Sequence, residues 1–223
     1  MITLHHLENS QSIRILWLLE EIGAPYGFEM YDRDEKTMLA PDNYKSLSPL
    51  GTAPTLTDGP LALSESNAII DYILDQSQRP DLRPAANDPL RADYLFWFHT
   101  AQGTLQPMAT FGFVLGLATQ RSPFLVRPII SKVEQTLNSV FIQPRLEAVF
   151  KAMETQLSKS DFLAGDRFTA ADIAMGYTLH MAKMRGRLSD GYPNILAYVT
   201  RMEARPAWQA ALEKDGKFKG VPS

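Results

Sequence analysis

In the first third of the chain, hydrophobic positions alternate between the spacing of strands and that of a helix. Apolar and β-branched side chains over 2–7 and 26–31 predict two short strands. Between them, the apolar residues of 13–22 recur at helical spacing, and Gly23 is a typical helix end. A strand, a helix and a second strand in this order predict a parallel pair joined by a right-handed crossover.

A hairpin and a further helix are predicted next. Residues 55–57 and 61–63 form two predicted strands that are joined by a turn at Asp58-Gly59. The helix behind them has four apolar residues on one face: Ala68, Ile69, Tyr72 and Ile73. With a short irregular helix before the hairpin, the order is βαβαββα, which indicates an α/β unit.

The remainder of the chain has only helical patterns. A segment with three prolines and almost no large apolar side chains, 76–89, is the best linker candidate. Beyond it we predict helices over 90–118 and 131–157, with a break near Arg121-Ser122-Pro123, and shorter ones near 170–185, 193–204 and 207–213. The predicted fold class is therefore α/β plus all-α, with domains at 1–77 and 89–223 and a linker at 78–88.

One helix start carries a clear capping signal. Thr169 precedes Asp172 by three residues, which is a capping box with aspartate in the place of glutamate or glutamine. Phe168 and Ile173 stand at the two positions of a hydrophobic staple. This pattern predicts a stable helix and carries no chemistry.

Composition and charge narrow the function classes. The chain of 223 residues is 45% hydrophobic and has a formal net charge of −3, without a run of lysine or arginine, so no nucleic-acid partner is expected. No apolar stretch reaches the roughly 18 residues that a membrane span requires, so no membrane partner is expected either. The start of the chain lacks a signal-peptide pattern, which favours a cytoplasmic protein.

The absence of cysteine limits the chemistry further. It excludes disulfides, thiolate metal ligands and a protein thiol nucleophile, so the sulfur in any thiol chemistry belongs to a substrate. The four histidines do not have the spacing of metal ligands, and adjacent His5 and His6 point to opposite faces of a strand. No metal site is expected.

The most informative segment is 48–69. Pro54 opens a strand and cannot donate a ladder hydrogen bond, so the residue before it is free to pair with a ligand. Ser64, Glu65 and Ser66 precede a helix, whose N-terminus is a favourable place for a carboxylate. An extended, peptide-like ligand along this edge would meet both features.

Four motifs together resemble the cytosolic glutathione transferase family over essentially the whole chain. They are Glu8-Asn9-Ser10-Gln11-Ser12-Ile13-Arg14 with Trp17-Leu18-Leu19-Glu20-Glu21, Pro49-Leu50-Gly51-Thr52-Ala53-Pro54, Glu65-Ser66-Asn67-Ala68-Ile69, and Phe162-Leu163-Ala164-Gly165-Asp166 with Phe168-Thr169-Ala170-Ala171-Asp172. Residues 94–107 are similar to a bacterial and fungal, Gtt-like subgroup, whose members often have glutamate where Gln102 stands. The resemblance implies a thioredoxin-like N-terminal domain, an all-helical C-terminal domain and a homodimer.

The resemblance also implies an activity. Glutathione would serve as co-substrate, and its thiolate would attack hydrophobic electrophiles, with reduction of organic hydroperoxides as a second expected activity. A free thiol has a pKa of about 8.5, so the site must favour the thiolate. A hydroxyl donor and the positive end of a helix dipole both do so. The serine-using members place this hydroxyl at Ser10, and Ser12 is the competing candidate. Leu7 and Glu8 occupy the nearby strand end, which disfavours a tyrosine donor.

The resemblance implies three further contacts for glutathione. Ala53, before a cis Pro54, would pair its backbone with the cysteinyl unit, and Glu65 and Ser66 would hold the γ-glutamyl end. Near the glycine end the expected contacts are Thr52 and one of Lys36, Asn43 and Lys45. The electrophile site is expected along 94–111, at Tyr94, Phe98, His99, Gln102, Met108 and Phe111, although aromatic residues at helical spacing are also typical of a core.

Two other functions remain open on the sequence. The same fold serves as a non-catalytic interaction module, and it also holds apolar ligands between its domains without turnover. The presence of Ser10, Pro54, Glu65 and Ser66 together favours the enzyme.

Overall fold

The computed structural model describes residues 1–186, 188 and 190–216. Its N-terminal part is a four-stranded sheet in the order β2-β1-β3-β4. The strands are β1 Thr3–Leu7, β2 Gly27–Tyr31, β3 Thr55–Asp58 and β4 Leu61–Ser64. β1 runs parallel to β2 and antiparallel to β3, and β3 pairs antiparallel with β4. The predicted parallel pair and hairpin are confirmed.

Helix α1, Ile13–Ile22, connects β1 to β2 and has the predicted bounds. Gly23 ends it in the left-handed region, at φ 71°, and its N–H donates to the carbonyl oxygen of Leu19. The apolar residues of α1 are buried around nearly its whole circumference, because helices of the second domain cover the face that the sheet leaves open. Trp17 packs edge-on against Trp208 of the last helix, with ring centroids 5.0 Å apart.

Two short helices complete the first part of the chain. They are α2 Asp42–Lys45 and α3 Ser66–Gln76. The segment predicted as a linker is fixed to α3: Leu82 is fully buried in a 3₁₀ turn, Pro80–Leu82, and the Arg83 guanidinium contacts the carboxylates of Asp71 and Asp75. The domain boundaries themselves stay a prediction.

The second part of the described chain is helical, as predicted. Its helices are α4 Arg91–Thr100, α5 Gln106–Arg121, α6 Arg127–Leu137, α7 Gln143–Leu157, α8 Ala170–Met184, α9 Pro193–Glu203 and α10 Pro206–Asp215. A π-helical turn joins α4 to α5 and another joins α6 to α7. The predicted start at residue 131 was wrong: α6 begins at Arg127, just before Pro128, which suits a first helical turn. None of the residues of α6 is buried.

Helix α8 crosses the centre of the helical part and begins at the predicted capping box. Asp172 accepts hydrogen bonds from the N–H groups of Thr169 and Leu163 and from the Tyr198 hydroxyl, at 2.8, 3.0 and 2.9 Å. Burial raises the pKa of this carboxyl, and its effect exceeds that of the hydrogen-bond donors, which lower the pKa. Gly176 lets α8 approach α1 closely, because a Cβ atom there would lie 2.5 Å from the Trp17 ring. Among the described residues, no helix has the length and apolar character to cross a membrane.

Candidate active site

A cleft of about 770 Å³ separates the loops at the end of the sheet from the helical part. The sheet side includes Ser10, Arg33, Thr52 and Ala53. The helical side is mostly apolar and includes Leu105, Phe113, Ile142, Phe150, Tyr177 and Met181. The cleft therefore places hydroxyl and backbone groups opposite an apolar wall.

Ser10 lies in the turn between β1 and α1 and lines this cleft. Its side chain is 6% exposed, and its hydroxyl donates to the carbonyl oxygen of Leu7 at 2.7 Å. The backbone N–H of Ser12 donates to the same Ser10 oxygen at 3.2 Å. The Ser10 hydroxyl proton can therefore turn from the Leu7 carbonyl to an anion in the cleft. The Ser10 oxygen continues to accept the hydrogen bond from the Ser12 N–H.

Ser12 stands at the N-cap of α1 but is turned away from the cleft. It is fully buried, and its hydroxyl lies 2.9 Å from Nδ1 of His6 and 3.2 Å from the Leu7 carbonyl oxygen. It is not among the residues that line the cleft. Of the two serines that the sequence offered, the geometry therefore brings only Ser10 to the cleft.

Arg33 holds the turn that presents Ser10. Its guanidinium donates to the carbonyl oxygens of Glu8, Asn9 and Met38, at 3.0, 3.3 and 2.9 Å. Asn9 has a φ of 48°, a left-handed conformation that asparagine tolerates better than most residues. Because Arg33 follows β2, no local sequence pattern links it to Ser10, and its role was not predicted from the sequence.

The segment predicted to bind the peptide backbone has the expected form. The Ala53–Pro54 peptide bond is cis, as predicted, and Thr52 and Ala53 line the cleft with Ser10. Pro54 immediately precedes β3, so the backbone of Ala53 is not part of the antiparallel ladder.

Glu65 and Ser66 lie beside this segment, outside the lining of the cleft. Thr55 pairs with Ser64, so the residues that follow β4 lie next to the one that precedes β3. Ser66 is buried at the start of α3, whereas Glu65 is exposed and has a φ of 75°. A non-glycine residue in this region costs about 1–3 kcal/mol, and such strain clusters at ligand sites.

The six residues expected to form the electrophile site do not line the cleft. Tyr94 and Phe98 are buried and stack on each other, with centroids 5.4 Å apart, and burial raises the pKa of Tyr94. His99 and Phe111 are exposed on other helix faces. The helical spacing in the sequence identifies the apolar residues, but it does not show which helix face lines the cleft.

The other two expected electrophile-site positions and the three candidates for the glycine carboxylate also lie off the cleft, whereas Thr52 lines it. Met108 is half-buried, and Gln102 donates to the Gln11 side chain at 3.0 Å, one layer behind the lining. Lys36, Asn43 and Lys45 are exposed. The Lys45 ammonium contacts Asp42 at 3.0 Å.

A buried cation lies beneath the cleft. Arg14 is completely buried, and its guanidinium donates to Gln106 and Thr178, which line the cleft, at 3.3 and 3.4 Å. Its charge also faces the Tyr177 ring at 5.1 Å. Burial lowers the pKa of Arg14 to about 10, so it stays protonated at neutral pH. This charge and the N-terminal end of α1 both favour an anion near Ser10.

Comparison with known proteins identifies the family. A family model described as "Glutathione S-transferase, N-terminal domain" matches residues 10–76, and the corresponding C-terminal domain model matches 117–201. "Glutathione S-transferase 3" of Schizosaccharomyces pombe is 32% identical over 96% of this chain and 88% of that protein. "Glutathione S-transferase 1" of Saccharomyces cerevisiae is 25% identical over 96% and 95%.

A solved structure extends the similarity to the fold. A glutathione S-transferase of Actinobacillus pleuropneumoniae superposes with a TM-score of 0.78 at 31% identity, covering 98% of this chain and 94% of that one. The sheet and helices described above are accordingly a thioredoxin-like domain followed by a helical domain. The chain belongs to the glutathione S-transferase family and is a glutathione transferase, with glutathione as its co-substrate.

Proposed function

We propose that glutathione binds along the sheet side of the cleft with its sulfur at Ser10. The observation that carries this proposal is the opposite orientation of the two serines, since Ser10 lines the cleft and Ser12 points toward His6. In this arrangement the backbone of Ala53 pairs with the cysteinyl unit, in the manner of an added strand. Glu65 and Ser66 hold the γ-glutamyl end, and Thr52 lies near the glycine end.

The Ser10 hydroxyl then generates the nucleophile. It donates to sulfur in place of the Leu7 carbonyl and stabilises the thiolate, together with the N-terminal end of α1. The thiolate attacks the electrophile directly, so the site needs only to form it and to hold the two reactants in contact.

The proposed electrophiles are hydrophobic molecules on the apolar wall formed by Leu105, Phe113, Phe150 and Met181. This assignment replaces the six residues that the sequence analysis expected. Organic hydroperoxides are a second proposed substrate class, because their O–O bond is open to attack by the same thiolate. A panel of both classes, assayed with glutathione, tests this part of the proposal.

The role of Ser10 is tested by replacing each serine in turn with alanine. A hydrogen bond to a charged group contributes about 1.5–3 kcal/mol, which corresponds to roughly one to two pKa units. If the bound thiol has a pKa of about 6.5, loss of the Ser10 hydrogen bond lowers the thiolate population at about pH 7 by roughly 3- to 25-fold. We expect this loss in kcat/KM for the electrophile in Ser10→Ala, with glutathione affinity reduced by no more than about fourfold, because the thiol form still binds.

Ser12→Ala is the matched control, because it leaves the Ser10 hydroxyl in the cleft. Its conjugation rate should fall less than that of Ser10→Ala. Full activity in Ser10→Ala, with a large loss in Ser12→Ala, would contradict the proposal and would show that Ser12 stabilises the thiolate.

We further propose a cytoplasmic homodimer. The support for the dimer is that β4 is an edge strand and that α4 and α5 expose large apolar side chains, among them Phe96 and Val114. The support for the location is the glutathione pool of the cytosol, which supplies the co-substrate. Light scattering at several protein concentrations tests the dimer; a monomer mass throughout would contradict it.

A further inference from the structure

We propose that Ser10, Ser12, His6 and Asp215 form a buried proton relay that carries the thiol proton of bound glutathione to His6. The inference rests on the role of Ser10 proposed above. It adds three groups that act through Ser10 rather than on the substrate, and one of them comes from the last helix of the second domain.

The four side chains form a continuous line of contacts. The Ser10 and Ser12 hydroxyl oxygens lie 2.7 Å apart, and the Ser12 oxygen lies 2.9 Å from Nδ1 of His6. On the far side of the imidazole, Nε2 lies 3.3 Å from Oδ2 of Asp215. The two serine hydroxyls and the Ser12–His6 pair are hydrogen-bonded and can pass a proton, whereas Nε2 and Oδ2 are in charge contact without hydrogen-bond geometry.

Burial separates this line from solvent. Ser12 is fully buried, the His6 and Asp215 side chains have no exposed surface, and only Ser10 reaches the cleft. Phe28 packs against the imidazole, with centroids 5.6 Å apart, so the ionisable side chain that the structure shows in contact with His6 is Asp215. Among the described residues, a proton that enters at Ser10 can pass inward through Ser12 to His6.

The carboxylate fixes the starting tautomer. Asp215 favours a proton on Nε2, which leaves Nδ1 as an acceptor for the Ser12 hydroxyl. The Ser10 hydroxyl can then turn from the Leu7 carbonyl and donate to the Ser12 oxygen, which lies at the same distance of 2.7 Å. Hydrogen bonds that run in one direction polarise each other, so the Ser10 oxygen gains basicity on the side that faces the cleft.

The transfer balances without any further reactant. The thiol proton passes to the Ser10 oxygen, the Ser10 proton to Ser12 and the Ser12 proton to Nδ1 of His6. Sulfur keeps the electron pair of the broken S–H bond and becomes a thiolate. His6 becomes an imidazolium beside the Asp215 carboxylate, and both hydroxyls now donate toward the sulfur.

Counting protons tests the relay. Free glutathione is almost entirely a thiol at about pH 7, so forming the bound thiolate removes roughly one proton from it. We expect the native enzyme to form the thiolate, seen by its ultraviolet absorbance, while releasing almost no proton to the buffer. Titration calorimetry in buffers of different ionisation enthalpy counts the protons, and S-methylglutathione, which has no thiol, gives the baseline to subtract.

Two variants locate the acceptor. His6→Asn keeps a hydrogen-bonding group near Ser12 but cannot hold the proton, so each thiolate that it forms should release about one proton to the buffer. Ser12→Ala breaks the path at a smaller side chain and should do the same, which keeps the test usable if His6→Asn does not fold. Retention of the proton in a folded variant of either kind would overturn the relay, as would release of one proton per thiolate by the native enzyme.

A matched pair of charge removals on α10 tests the far end. Asp215→Asn should restore proton release or lower the thiolate population several-fold, whereas Glu213→Gln, which removes an exposed charge two residues away, should behave like the native enzyme. Equal behaviour of the two variants would remove Asp215 from the relay. A different result, no loss of thiolate in Ser10→Ala, would instead refute the proposed role of Ser10.

Discussion

Replacing Asp172 with asparagine should destabilise the fold by about 2–4 kcal/mol. In the native structure its Oδ1 accepts from the Leu163 N–H and the Tyr198 hydroxyl, and its Oδ2 accepts from the N–H and hydroxyl of Thr169. Asparagine offers one acceptor oxygen and one NH₂ group in the same space. In either orientation of the amide, the NH₂ group therefore faces two donors.

The magnitude follows from what can rearrange. A hydroxyl can turn and accept from the NH₂ group, but a backbone N–H cannot, so one buried N–H loses its partner at a cost of about 1–3 kcal/mol. The remaining bonds lose their charge assistance, which costs roughly 1 kcal/mol more. Because α8 carries Tyr177, Thr178 and Met181 to the cleft, activity should disappear in parallel with unfolding.

Urea unfolding followed by tryptophan fluorescence measures this difference, at one fixed protein concentration for all variants. Asp161→Asn is the control, since this carboxylate is 74% exposed beside Arg201, and it should change stability by no more than about 0.5 kcal/mol. A loss below about 1 kcal/mol for Asp172→Asn, or one equal to the control, would refute the reasoning on the capping network.

Three further predictions concern packing and the cleft. Gly176→Ala should destabilise by about 1–3 kcal/mol in thermal unfolding, because its Cβ would meet the Trp17 ring at 2.5 Å; an unchanged midpoint would contradict the close approach. In steady-state assays, Phe113→Ala should raise the KM for hydrophobic electrophiles and leave the KM for glutathione unchanged; the opposite pattern would show that electrophiles do not bind at this apolar wall. Glutathione at a hundredfold excess over its Kd should stabilise the protein by about 2.7 kcal/mol, and an unshifted unfolding curve would exclude binding to the folded state.

The sequence predicted the secondary structure well where local rules act alone. Helix α1 was found to the residue, because its apolar spacing ends at a glycine that adopts the left-handed conformation. The capping box at Thr169 was likewise local. The π-helical turns at Ala101–Leu105 and Asn138–Ile142 were not anticipated, since an extra residue in a turn leaves the apolar pattern nearly unchanged.

The site was harder to predict, because it depends on orientation. Ser10 and Ser12 are two residues apart, and the turn at Asn9 decides which hydroxyl meets the cleft. On the helical side, helical spacing identifies buried residues such as Tyr94 without telling the core face from the face that lines the cleft. The contact between His6 and Asp215 joins residues 209 positions apart, and only the packing of α10 against the first domain creates it.

The central claim is that the sulfur of glutathione lies at Ser10, and a crystal structure of the enzyme with bound glutathione tests it most directly. We predict the sulfur within about 3.5 Å of the Ser10 hydroxyl oxygen, and the cysteinyl backbone paired with Ala53. A sulfur atom in contact with Ser12, or beyond hydrogen-bonding distance of both serines, would contradict the account.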